Sequence, residues 1–204
     1  MKKVYVVATA LALLASCRSV GYDDLNPNIQ PNPNLLPVLT VKTDTAIYPK
    51  TYKSSDKKKV YDRRANDAAN LLKSYAQKNL MEQSGENKGY ISMRVSYEDL
   101  RNDHVYTATK VLGIIPLGIP LFLGVPFGGQ TQDVELEVQI LNRHKDIIKQ
   151  YTATGSGSAV SAVWWGYNTK DTRRKASAES IKQAMESIRR QINNDAPEIR
   201  AQLK

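Results

Sequence analysis

Residues 134–140 read Val134-Glu135-Leu136-Glu137-Val138-Gln139-Ile140, a strict alternation of branched apolar and polar side chains. Successive strand residues point to opposite faces, so this run predicts a half-buried strand with one wet face. Upstream, Ile91, Met93, Val95 and Tyr97 alternate with Ser92, Arg94, Ser96 and Glu98 in the same way. Downstream, Asn142 to Asp146 is a polar turn, which predicts that Ile147 to Thr154 returns antiparallel. The β-branched residues between Val38 and Ile47 suit a first strand, and Val105–Leu112 and Ala159–Trp165 are further candidates.

Two segments carry the helical period instead. Tyr61, Ala65, Ala68, Leu72 and Tyr75 form one apolar stripe, capped by Ser55 or Asp56 and running to about Gln83, with Gly85 as a stop. Ile181, Met185, Ile188 and Ile192 form another, capped by Asp171 or Thr172 and expected to end before Pro197. One-faced helices and one-faced strands are satisfied together by an α+β domain: an antiparallel sheet with two amphipathic helices packed on one face.

That domain occupies 38–204 of a 204-residue chain with 29 Lys+Arg, 20 Asp+Glu, two His and one Cys. One Cys excludes an internal disulfide framework, and so few soft ligands leave no structural zinc site, so no metal is expected. The first sixteen residues have the form of a cleaved export signal: Lys2 and Lys3, a short apolar run from Val4 to Leu14, then small residues. Leu14-Ala15-Ser16-Cys17 resembles the lipobox of bacterial lipoproteins, with the only Cys at the position that carries lipid. The resemblance implies cleavage before Cys17 and palmitate-type acyl chains on it; two or more chains anchor a protein stably. Arg18, rather than Asp, follows that Cys, which in family terms favours the outer membrane, and the late placing of Asp23-Asp24 favours its periplasmic face. Residues 17–37 are rich in Asn and Pro and are expected to form a semi-rigid tether, with docking of Leu35 and Leu36 on the body as the alternative.

The segment 111–127, VLGIIPLGIPLFLGVPF, lies in a Gly/Pro-rich loop over 111–129 without a charged residue. Its prolines and glycines argue against a spanning helix. Three readings are open for Ile115, Leu117, Ile119, Leu121, Phe122 and Leu123: a flap folded over core, a contact tip entering lipid or a partner, or a hairpin of an oligomeric pore.

Catalytic chemistry has little support. His104 and His144 belong to polar connections, and Gly155-Ser156-Gly157-Ser158 is neither a nucleophile elbow nor a phosphate loop. Glu135 and Glu137 share a strand face that is simply wet. The expectation is therefore a protein without catalytic residues or cofactor. Basic clusters at Lys57, Lys58, Lys59 and at Arg173, Arg174, Lys175 are candidate anion sites, because positive charge at a helix start does not serve the helix itself. Trp164 and Trp165 are neighbours on a predicted strand, so one faces the core and the other is a candidate exposed aromatic.

The body resembles small α+β envelope lipoproteins that assist outer-membrane assembly, such as the YajG-like and LptE-like groups. The resemblance lies in the strand pair around Val134–Ile140, the Gly155–Ser158 stretch and the final amphipathic helix. It implies a lipid-anchored, non-enzymatic binding or assembly module whose partner is an envelope protein or anionic envelope component, not nucleic acid. The alternative is a structural protomer that inserts 111–127 into membrane.

Overall fold

The computed structural model describes residues 20–21, 25–27, 32–44, 55–103, 126, 128–162 and 166–203. Their order is β1 (Leu39–Asp44), α1 (Ser55–Asn79), β2 (Gly89–Asp103), β3 (Gly128–Asn142), β4 (Ile147–Ser161) and α2 (Thr169–Gln202). Among the described residues the strands form one sheet in the order β1-β2-β3-β4. The α+β class and the two helices on one face are as expected, with one correction to strand direction. β2, β3 and β4 are antiparallel neighbours, but β1 pairs parallel to β2, Leu39 opposite Gly89 and Asp44 opposite Arg94. A parallel pair needs a long crossover, and α1 supplies it.

The apolar sets of the alternating strands form the floor of the core. Ile91, Met93 and Val95 of β2 and Val134, Leu136, Val138 and Ile140 of β3 are all buried. Ala68, Leu71, Leu72 and Ala76 of α1 and Ile181, Met185, Ile188 and Ile192 of α2 close over them. The helices lie side by side and run in the same direction, since Asp67 pairs with Arg174 and, farther along both, Tyr75 bonds to Glu186.

Gly155, Ser156, Gly157 and Ser158 are not a break between strands; they lie inside β4, and the separate strand at 159–165 is instead its continuation to Ser161. Gly155 and Gly157 face α2, where an added Cβ would collide with the backbone at Ser180 and Ala176. Glycine here lets a helix seat directly on a strand, and the small residues Ala176, Ser177, Ser180 and Ala184 complete that contact.

Other boundaries shift for physical reasons. α1 ends at Asn79 rather than near Gln83, and Leu80 and Met81 turn inward to the core. The N-cap of α2 is Asn168, whose side chain accepts from the backbone N–H of Lys170 and Asp171. Pro197 does not end α2, which continues to Gln202. An interior proline costs about 3 kcal/mol and frees the carbonyl four residues back. Here the Asn34 side chain donates to that carbonyl, Asn193 O, at 3.3 Å, and burial of Ala196, Ile199 and Leu203 rewards the extra turns.

The tether expectation is corrected from residue 32 onward, where the docking alternative holds. Leu36 is fully buried and exchanges backbone hydrogen bonds with Leu80 and Glu82. Asn32 donates to Asn79 O at 2.8 Å, and Arg200 donates twice to Leu35 O, at 3.0 and 2.6 Å. Earlier still, Leu25 packs against the core and the Val20 N–H donates to Asp171. The predicted strand Val105–Leu112 lies outside the described residues, and the expected loop 111–129 is shorter at its end because β3 begins at Gly128.

Candidate functional site

The helices cover one face of the sheet and leave the other polar. On the uncovered face stand Thr40 and Lys42 of β1, Ser92, Arg94 and Ser96 of β2, Glu135, Glu137 and Gln139 of β3, and Gln150, Thr152 and Thr154 of β4. A shallow depression of about 370 Å³ lies among Arg94, Ser96, Glu135, Glu137, Gln150 and Thr152. Register places Arg94 opposite Glu137 and Ser96 opposite Glu135. Glu137 Oε1 accepts from Gln139 Nε2 at 2.9 Å and from Gln150 Nε2 at 2.7 Å. A carboxylate held by two amides has a fixed orientation. Among the described residues no group of three His, Cys, Asp or Glu side chains is placed to hold a metal ion.

The second feature is the end of the domain where α2 begins. Asp103 pairs with Gly129 and Gly128 with Ser161, so β2 ends, β3 starts and β4 ends at one edge of the sheet. The hydroxyls of Ser161 and Thr172 lie 2.6 Å apart, and the Tyr167 N–H donates to Val160 O, which fixes the first turn of α2 at that edge. Asp171 is the hub: it accepts from Val20 N at 3.3 Å, from Asn168 Nδ2 at 2.8 Å and from Arg174 at 3.4 Å. An acidic residue in the first turn also complements the helix dipole. Arg174 spans to α1 through Asp67 Oδ2 at 2.7 Å, and this pair raises its already high pKa further.

These contacts sort the basic candidates. Arg174 is paired to Asp67 and Asp171, and Lys175 lies 2.6 Å from Glu179, so both charges are already engaged within the chain. Arg173 donates to the neutral side chain of Gln130 at 3.2 Å, and Lys170 beside it is exposed. Lys57, Lys58 and Lys59 lie in the first turns of α1. α1 runs about 18 Å from Ser55 before it meets Arg174, which itself stands about 8 Å into α2. The parallel helices therefore bring both predicted basic clusters to the same end of the molecule. Cys17, Ile115, Leu117, Ile119, Leu121, Phe122, Leu123, Trp164 and Trp165 lie outside the described residues.

Sequence reading missed Val20, Leu25, Asn168 and Asp171 as parts of one contact. The Asn168-x-x-Asp171 spacing before an apolar run was the signal available.

No helix among the described residues is long and apolar enough to cross a membrane. No protein-family model matches the chain, and no curated protein does. Among solved structures it is similar to a provisionally described homolog of neuraminyllactose-binding hemagglutinin from Helicobacter pylori, at 11% identity and TM-score 0.41 over 87% of this chain and 95% of that one. It is also similar to a provisionally described lipoprotein from Caulobacter crescentus CB15, at 12% identity and TM-score 0.33 over 80% and 92%. A minor lipoprotein from Acinetobacter baumannii aligns at 13% identity and TM-score 0.26 over 80% and 94%.

Proposed function

We propose that this protein is a lipid-anchored, non-enzymatic binding module of the bacterial envelope, held on the periplasmic face of the outer membrane through acylated Cys17. The observation that carries the reading is Leu14-Ala15-Ser16-Cys17, a sole cysteine placed where a basic start and a short apolar run end. Arg18 after it supports the outer membrane. The uncovered sheet face, with Arg94, Glu135 and the doubly bonded Glu137, offers a polar surface for an envelope protein, and Lys170 and Arg173 offer charge for anionic envelope components. The composition of 111–127 favours a second reading, a protomer that inserts this segment into membrane.

Mass spectrometry and fractionation test both. The wild-type protein is expected to lack residues 1–16, to carry acyl mass on Cys17 and to sediment with membranes, while Cys17→Ser is released as a soluble monomer. An unmodified thiol on a full-length chain defeats the anchor; a Cys17→Ser protein that still partitions into detergent or assembles into rings favours the inserting protomer.

A further inference from the structure

We infer that the end of the domain formed by Asp103, Gly128, Ser161 and the first turn of α2 faces a phospholipid surface, with the two helices standing upright on it. The inference rests on the acylated Cys17 proposed above and adds an orientation to it. Two independent features meet at this end.

First, Val20 is held there by Asp171 and Leu25 packs between the helices, lined by Asp67, Leu71, Arg174 and Ile181. Three residues of chain reach at most about 11 Å, so an acyl group on Cys17 enters the bilayer next to the first turn of α2. The chain does not float the domain on a long leash; it fixes which end approaches the lipid. Second, the charge is of the right sign. The two helix N-termini present the positive ends of their dipoles in parallel, and Lys170, Arg173 and the first turns of α1 with Lys57, Lys58 and Lys59 add basic residues. Positive charge there works against the helices and with an anionic headgroup layer. At the opposite end Glu86 pairs with both Lys88 and Arg143 beside the Asn142–Asp146 turn.

The two ends are separated by β3, whose span from Gly128 to Asn142 is roughly 46 Å, far beyond the range of a contact quencher. The lipidated full-length protein is prepared as Gly128→Cys and, separately, His144→Cys; a Cβ at Gly128 meets open space and His144 is exposed, so both tolerate a label. Acylated Cys17 no longer reacts with maleimide, which directs a fluorophore to the new thiol. In phosphatidylethanolamine–phosphatidylglycerol vesicles carrying headgroup spin label, quenching is expected to be at least threefold stronger at 128 than at 144. Lys170→Cys, also exposed, gives a second label at the same end and is expected to behave as Gly128→Cys does. Equal quenching at both ends, or stronger quenching at 144, with acyl mass confirmed on Cys17, overturns the orientation alone. Absence of acyl mass overturns the anchor on which it rests.

Discussion

Tyr75 reaches from α1 to α2, its phenol donating to Glu186 Oε2 at 2.8 Å, while Arg189 donates to both oxygens of the same carboxylate. Burial first, and the carboxylate second, push the Tyr75 phenol well above its ordinary value of 10.0. The hydrogen bonds from Arg189 first hold Glu186 below the ordinary 4.5. Tyr151 repeats the arrangement on β4, its phenol raised by burial and then by Asp195 at 2.9 Å. The signs follow from proton binding. A phenol raised in the folded state contributes stability that is complete below about pH 10 and is lost as pH rises beyond it; a depressed carboxylate contributes stability that is lost as pH falls below about 4.5. The urea midpoint is therefore expected to fall at both extremes, with Tyr75→Phe reducing the alkaline limb and Glu186→Gln the acid limb. An alkaline limb identical in Tyr75→Phe and wild type would refute the linkage.

At the scale of elements, the contact between α2 and β4 depends on missing side chains. Gly157→Val places methyl groups where the Ala176 carbonyl and the Ser180 N–H of α2 now lie. Overpacking of this kind costs about 1–3 kcal/mol, whereas Thr154→Val on the uncovered face is expected to stay within about 0.5 kcal/mol. Denaturant midpoints decide it: equal midpoints for the two variants would mean that α2 does not seat on the glycines. The same scale shows what the sequence could disclose. Alternation around Val134–Ile140 and the stripe from Ile181 to Ile192 are local patterns, and they locate the strands, the helix and the core. Strand direction is not local, so nothing within residues 39–44 marks β1 as parallel. Pro197 misleads for a related reason, because the donor that compensates it is Asn34, far away in the chain. Likewise the basic clusters were legible as positions, but Asp67, which takes up Arg174, sits on the other helix.

Across the whole molecule, the described residues between 20 and 44 touch every layer. Val20 meets the start of α2, Leu25 the groove between the helices, Asn32 the end of α1, Leu35 the last turns of α2, and Leu39–Asp44 the sheet. Arg200 is the latch on this strap. Arg200→Met keeps the apolar stem but removes both donors to Leu35 O, a loss of about 1.5–3 kcal/mol for bonds from a charged group. Amide exchange is expected to accelerate at Leu36 and Glu82, which bond across the strap, and to remain slow at Val138 within the sheet. Unchanged exchange at Glu82 would show that the strap holds without its latch.

The strap also dictates an order of events. Its partners Asp171, Asn193 and Arg200 are synthesised more than 150 residues after it, as the separations of 151, 159 and 165 positions record. The half of the strap that meets α1 and β2 can therefore settle early, while its contacts to Asp171, Asn193 and Arg200 must wait until the final helix has been made.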